Sequence, residues 1–382
     1  MRVKSLQLRS QRIPFVERFA HSLKDRAASD TLIASVELED GTRGYGEGLP
    51  RPYVTGETVE SVIHHCGEVL WPRLVAATLD IADPIETLMV ALPPQMGPEA
   101  GPVRAHHAAR CAVEVAVIDA LLRAKQQSLA ECLLPQVAVV TYSAVITAST
   151  PKAAATRAQQ FQRFGIQDIK IKVSNEGAEE TVAAVREVVG EDPVLRIDAN
   201  GAWSLEEAIR DLRALEPYGI ASCEEPLPPQ QWSCLAKLRQ AVEIPLMADE
   251  SFVTQSDLDR LLEHDAIDLL NVRLSKNGGI GPCLRTIQRV REAGLGFQIG
   301  AHVGETAILS AAGRHLAASA PDTRFVEGSY GTLLLSEDVA RTSLRFGHQG
   351  RGPLLRGPGL GIHVLEDRVM RFAVANHLWE RP

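Results

Sequence analysis

From about residue 137 the chain alternates between two textures. Strand-length runs rich in Val, Ile and Leu ("VAVVTYSAVI", "DIKIKV", "VLRIDAN", "IASCEEPL", "PLMADES", "AIDLLNVRLSK", "GFQIGAH", "TRFVEGS") are separated by stretches with helical spacing. Most of the runs lack strict alternation, as strands do when both faces are covered. Helix starts are legible: Ser204 opens "SLEE", with Glu207 at the third position of a capping box, and "SDLD" from Ser256 is a similar start with a shorter acid. Gly190, Gly219 and Gly294 stand where helices should stop. The pattern predicts strand–helix units in series, the arrangement that parallel strands require.

One strand breaks the apolar rule. In "DIKIKV", Lys170 and Lys172 share one face while Ile169, Ile171 and Val173 share the other. A solvated sheet edge would account for this. So would a closed barrel with the isoleucines against helices and the lysines pointing inward. The polar residues at the strand ends decide between them. Lys172, Asp198, Glu224, Asp249, Lys276 and His302 follow one another at intervals of 26, 26, 25, 27 and 26 residues. A solvated surface has no reason to keep acids and bases at equivalent places in successive units. Eight such units close into an α/β barrel of the TIM type, with its chemistry at the C-terminal ends of the strands.

Residues 1–135 read differently. "TLIASVELEDGTRGYGEGLP" has the pattern of two antiparallel strands turning at Asp40-Gly41, and "AARCAVEVAVIDALLRAKQQ" that of a long, largely buried helix. We expect an α+β domain over 1–135, the barrel over 136–345, and a Gly- and Pro-rich segment over 346–382 that packs back on the first domain.

A chain of 382 residues with 45% hydrophobic residues is long enough for a large domain plus a smaller one. A net charge of -8 without basic runs gives no reason to expect nucleic-acid or anionic-membrane binding. "MRVKSLQLRSQRIPF" lacks the apolar core of a signal peptide and no stretch reaches bilayer-spanning length, so a cytoplasmic address is expected. Six scattered cysteines with no CxxC pair argue against a disulfide framework or a zinc knuckle.

Asp198, Glu224 and Asp249 end neighbouring strands. Three converging carboxylates repel one another unless a cation sits among them, and an all-oxygen set suits Mg2+ or Mn2+ rather than zinc or copper. Asn200 and Glu250, close by in sequence, are candidates for orienting those ligands. Lys170 and Lys172 on the second strand and Lys276 on the sixth are opposed across an eight-stranded barrel. A lysine beside a cation and a second lysine is pushed toward a pKa at which it can act as a base. The expected reaction is removal of a proton from the carbon next to a carboxylate, with the metal stabilising the enediolate.

"IKIKV", "RIDANGAWS", "EEPL", "MADES" and "LSKNGGI", in this order and spacing, resemble the enolase superfamily, and the paired lysines resemble its muconate lactonizing enzyme subgroup. "GYGEGLP" and "AVEVAVIDALLRAK" are similar to that family's capping domain, so the resemblance covers nearly the whole chain. It implies a modified (β/α)7β barrel under an N-terminal α+β cap, and a homo-oligomer. It also implies Asp198, Glu224 and Asp249 as Mg2+ ligands, Lys172 and Lys276 as acid and base on opposite faces of the substrate, and Lys170 as electrostatic support. Such sites pair a Lys or His base with Mg2+ and an enediolate. One departure stands out: "NVRLSK" has Arg273 where many relatives carry another lysine.

Substrate choice in this family rests on the capping loops and the last strands. "FVERFAHSLKDRAASD" and "LPRPYVTGE" should close over the site, offering His21, Lys24, Arg26, Arg51 and Tyr53 as contacts for a polar or anionic small-molecule carboxylate, although such loop residues are more often simply solvated. Dipeptide epimerases of the subgroup carry a D-x-D pair on the eighth strand. Here that strand reads "RFVEGSYG", without such a pair; Glu327 is the candidate substrate contact in its place, and the departure counts against a dipeptide substrate. His302 and Glu305 in "GAHVGET" fit a supporting or substrate-contacting role and a plain structural one equally well. His64-His65 and His106-His107 read as ordinary helix residues.

Three functions follow. The first is a racemase or epimerase using both lysines. The second is a cycloisomerase or dehydratase on the same enolate. The third is a barrel that binds a carboxylate without turning it over, which the cost of keeping unused buried charges disfavours. A Schiff-base lyase would not need three carboxylates on adjacent strands.

Overall fold

The computed structural model describes residues 1–21, 24–94, 103–148 and 150–381, with the side chains of residues 17–21 and 24–26 outside the description. Among the described residues, eight parallel strands pair in sequence order: Ala144–Ile146, Asp168–Lys172, Val194–Asp198, Ile220–Glu224, Leu246–Ala248, Leu269–Arg273, Gly296–Gly300 and Phe325–Val326. The Ser143 N–H donates to the Val326 carbonyl at 2.8 Å, which joins the first strand to the last. A helix follows each of the first seven strands, from Pro151–Arg163 to Ala307–Ser319. This is the (β/α)7β barrel.

Its strands alternate more than the apolar runs suggest. Ile169, Ile171, Leu195 and Ile197 are fully buried, yet Lys170, Arg196, Asn271 and Gln298 are buried as well. These polar positions bond to one another. Arg196 donates to Gln298 at 2.6 Å, and Asn271 and Gln298 donate to Glu224 at 2.9 and 3.2 Å. The barrel interior is therefore a connected polar network, in which each buried charge meets a partner.

Three details differ from the sequence reading. "VAVVTYSAVI" divides in two, and only Ala144–Ile146 joins the barrel; Val139–Thr141 pairs antiparallel with Arg351–Pro353 from the C-terminal segment. The helix expected to start at Ser256 is capped by Thr254, whose hydroxyl accepts from the Asp257 N–H in a capping box, so it begins at Gln255. Lys276 lies beyond the sixth strand, on the short helix Leu274–Asn277.

The N-terminal domain holds an antiparallel sheet in the order Ala373–Glu380, Val3–Gln11, Leu32–Leu38, Arg43–Gly48. Its outer strand comes from the end of the chain and pairs with Val3–Gln11. The helix His107–Ala124 packs on this sheet with residues 107–122 all buried. Gly44, Gly46 and Gly48 share one face of their strand, and Ala108, Ala112, Ala116 and Ala120 form a stripe at four-residue spacing on the helix. A Cβ at any of the three glycines would overlap the helix backbone along that stripe. The glycines thus set how closely the helix approaches.

The cap also docks on the mouth of the barrel. The Val16 N–H donates to the Leu334 carbonyl at 2.8 Å and the Ser29 hydroxyl to the Gly304 carbonyl at 2.6 Å. Among the described residues no helix is long and apolar enough to cross a membrane.

Candidate active site

The strand ends bring together most of the residues singled out from the sequence. Asp198 closes the third strand, Glu224 the fourth, and Asp249 follows the fifth; all three are buried. The Lys172 amine donates to Asp198 at 2.7 Å and to the Asn200 side-chain oxygen at 2.6 Å. The Lys170 amine lies 3.3 Å from Asp198, 3.2 Å from Glu224 and 2.7 Å from Glu327. Burial disfavours the Lys170 ammonium, but Glu224, Glu327 and Asp198 together outweigh that cost and raise its pKa. It remains a cation. Burial also works against the charge of Glu224, yet Lys170, Arg273, Lys172 and Arg196 hold its carboxyl well below the usual range.

Lys276 is fully buried on the opposite wall. Its amine donates to the Asp249 carboxylate at 2.9 Å and to the carbonyls of Asp249 and Asn271 at 2.8 and 2.7 Å. Burial drives its pKa below the ordinary lysine value, against the pull of Asp249. Arg273 bridges Glu224, at 3.1 Å, and Asp249. Arg273 thus joins two of the three carboxylates.

The acids behind this layer are crowded. Glu225 accepts from the Asp249 and Ser251 N–H groups at 2.7 and 3.1 Å, and burial pushes its carboxyl up to about 7. Glu250 accepts from the Asn200 amide at 3.3 Å through one oxygen, while its other oxygen is buried without a partner. Burial, with Asp249, Glu225 and Asp198 close by, pushes its carboxyl well above the ordinary range. Among the described residues no three acid, histidine or cysteine side chains are drawn into a coordinating cluster, because Lys170 and Arg273 fill the gaps between the carboxylates. The unpartnered Glu250 oxygen lies in a site where Asp198, Glu224 and Asp249 supply further carboxylate oxygens. An all-oxygen donor set of this kind fits a divalent hard cation.

A cavity of about 460 Å³ opens onto Lys170, Lys172, Asn200, Glu250, Arg273 and Glu327. Val16, Phe161, Phe164, Leu333, Leu334 and Phe346 contribute apolar surface to its wall, beside the polar Arg157 and Gln160. Phe346 packs edge-on against Tyr330 at 5.2 Å and against Phe164 at 6.5 Å, forming a fixed aromatic ledge.

Tyr53, His302 and Glu305 also line the cavity. Glu305 accepts from the His302 N–H at 2.7 Å, and burial pushes its carboxyl up to about 8. Arg51 is not brought to the cavity: it is buried, donating to Asp30 at 2.8 Å and to the Val303 carbonyl at 3.0 Å. The side chains of His21, Lys24 and Arg26 lie outside the described residues. Glu327 is engaged by Lys170 and, at 3.4 Å, by Arg196.

Sequence reading passed over Arg196, Asn271 and Gln298, although each is a polar residue inside an apolar strand, the signal that exposed Lys170. It also passed over the cavity's aromatic ledge, which draws on segments far apart in the chain.

Residues 153–368 match the family described as Enolase C-terminal domain-like, more than half of the chain. The chain belongs to the enolase superfamily. Within that superfamily it is similar to N-succinyl-L-Arg/Lys racemase of Bacillus cereus, 27% identical over 98% of each chain. The crystal structure of that racemase superposes with a TM-score of 0.90 at 26% identity, covering 100% of both chains. The hydrophobic dipeptide epimerase of Enterococcus faecalis is 30% identical over 84% of this chain and 88% of its own. A dipeptide epimerase from Cytophaga hutchinsonii, in a structure complexed with Mg and D-Ala-L-Val, superposes with a TM-score of 0.86 at 27% identity over 99% of this chain and 100% of that one. Racemases and epimerases are isomerases, so the superfamily relatives of this chain are enzymes that rearrange a substrate without net change.

Proposed function

We propose that this protein is a racemase or epimerase that inverts the α-carbon of an amino-acid derivative with a free carboxylate. The observation that carries this is the pair of lysines on opposed walls, Lys172 and Lys276, each bonded to a carboxylate of the same acid cluster. One lysine, as a neutral amine, takes the α-proton. The C–H electron pair passes into the carboxylate to give the enediolate, and the other lysine, as an ammonium, returns a proton to the far face. Inversion follows from the geometry of the two donors. Lys170, held as a cation by three carboxylates, supplies positive charge to the enediolate.

Asp198, Glu224 and Asp249 would hold Mg2+, or Mn2+ through the same oxygens, and the ion when bound would stabilise the charge developing on the substrate carboxylate. For Lys276 to meet a substrate, the bridge from Arg273 to Asp249 has to open, since Arg273 lines the cavity and Lys276 is buried.

The nitrogen of the substrate is best read as acylated. Glu327, the acid of the eighth strand, is already bound to Lys170 and Arg196, which leaves it poorly placed to hold a free ammonium. The apolar wall of Phe161, Phe164, Leu333 and Leu334 suits an acyl or side-chain group instead. The full-length similarity to a racemase of N-succinyl amino acids supports the same reading. A dipeptide substrate is the second reading, favoured by the epimerases among the relatives.

Exchange of the α-proton in D2O, followed by NMR across N-succinyl and N-acetyl amino acids and dipeptides with Mg2+ and with EDTA, tests the proposal. Metal-dependent exchange with inversion is expected, fastest for the acylated amino acids. Exchange coupled to ring closure or loss of water would move the assignment to a cycloisomerase or dehydratase. No exchange on any member would refute it.

A further inference from the structure

The turn that carries Lys276 is gripped from outside the barrel. On the helix His107–Ala124 of the cap, His107, Arg110 and Glu114 follow at three- and four-residue spacing, which places them on one face. The His107 Nδ1 lies 2.7 Å from the Lys276 carbonyl. A carbonyl can only accept, so that nitrogen carries the proton. The Arg110 guanidinium donates to the Gly278 carbonyl and to Glu114, the latter at 3.1 Å. Glu114 accepts from the Ile280 and Gly281 N–H groups at 2.5 and 3.1 Å, at the start of the helix Ile280–Glu292. Just past the last strand of the cap's sheet, the Leu49 N–H donates to the Ser275 hydroxyl at 2.8 Å.

The fit leaves no slack. His107, Arg110 and Glu114 are all buried. Gly279 adopts φ +115°, and a Cβ there would overlap the Glu114 carboxylate. "NGGI" in this chain is thus the segment over which Glu114 closes. Lys172 is held differently: its amine donates to Asp198 and Asn200, both of which belong to the barrel.

We infer that His107, with Arg110 and Glu114, is a positioning clamp through which the capping domain aims Lys276, and only Lys276, at the substrate. The inference rests on the two-lysine reading above. A base displaced by about 1 Å can lose on the order of 100-fold in rate. Because each lysine serves one face of the α-carbon, loosening one of them unbalances the two enantiomers. A general loss of folding lowers both alike.

The test uses both enantiomers, or for the dipeptide both epimers at the carboxylate-bearing carbon, of whichever compound the wild-type enzyme exchanges fastest among N-succinyl-lysine, N-succinyl-arginine, N-succinyl-phenylalanine and Leu-Tyr. Deuterium wash-in is measured for each enantiomer in the wild type, Lys276→Ala, Lys172→Ala, His107→Leu and His107→Asn. His107→Leu is expected to lower exchange of the enantiomer that Lys276→Ala loses by about 10- to 100-fold, and to leave its mirror image near the wild-type rate. His107→Asn, which restores a donor to the Lys276 carbonyl, should recover most of the loss. Glu114→Gln, which keeps one acceptor for the helix start, is the second variant should His107→Leu not fold, with the same asymmetry expected. Equal loss for both enantiomers, loss confined to the Lys172 side, or no loss overturns the clamp. If Lys276→Ala leaves both enantiomers exchanging, or the wild type exchanges none of the compounds, the two-lysine reading itself falls.

Discussion

Arg273→Met separates the electrostatics of the acid cluster from its packing. The guanidinium bridges Glu224 and Asp249, and the variant removes it while keeping an unbranched apolar stem. Glu224 loses little, since it keeps Lys170 at 3.2 Å, Asn271 at 2.9 Å and Gln298 at 3.2 Å. Among the described residues, Asp249 then keeps Lys276, at 2.9 Å, as its one ion-pair partner. Breaking one side of a buried ion pair costs about 3–5 kcal/mol, and with these remaining partners the lower end, about 3 kcal/mol, is expected for the metal-free protein. A divalent cation would neutralise the same two carboxylates. If half of the 3 kcal/mol is recovered when it binds, Mg2+ should bind the variant about tenfold more tightly than the wild type. Titration calorimetry reads the affinity, and denaturant unfolding with EDTA and with saturating Mg2+ reads the stability. Unchanged or weaker Mg2+ affinity, or a stability loss the same in EDTA as in Mg2+, would refute the idea that Arg273 and the ion compete for one acid cluster.

Lys172→Ala and Lys276→Ala should each abolish racemisation, by about 100- to 10,000-fold as for loss of a general acid or base, with circular dichroism unchanged; full activity in either removes that lysine from the mechanism. Gly46→Ala would drive a methyl into the backbone of the capping helix at Ala112, and backbone has no rotamer to yield. A destabilisation of about 1–3 kcal/mol is expected in urea unfolding, and a change within error would mean that the strand and helix do not approach as described. Burial pushes the Glu57 carboxyl up to about 7, although the N–H groups of Ala108 and Ala109 favour its charge. The folded protein therefore binds a proton that the unfolded chain releases near pH 4.5, so this group's contribution to stability is greatest below that value and declines as pH rises toward 7. Glu57→Gln should flatten that decline, and an unaltered pH–stability profile would exclude the shift.

Much of the barrel and the placement of the charged residues at its mouth was legible because both are periodic. Each strand–helix unit has nearly one length, and the end of a strand is a fixed place in a barrel, so a 26-residue spacing of acids and bases carries Lys172, Asp198, Glu224, Asp249 and Lys276 to one mouth. Lys170 was legible from the two-residue strand period. Its partner Glu327 was noticed only as the eighth strand's lone acid, because an ion pair between the second and eighth strands leaves no local trace. The start of the helix at Gln255 was misplaced for a smaller reason: Thr254 and Ser256 are both capable caps, and only the backbone decides which one meets Asp257.

What the sequence by itself determined is the list of chemical groups and the order in which the barrel presents them, since both depend on spacing along the chain. What the tertiary structure decided is who holds whom. His107, an unremarkable residue at the start of a buried helix, reaches a backbone carbonyl 169 residues away because three glycines let that helix settle onto its sheet and a fourth lets Glu114 close over the next turn. Such contacts join a side chain to a backbone atom that every residue possesses. No pattern of residue types encodes them, and packing alone assigns the partner.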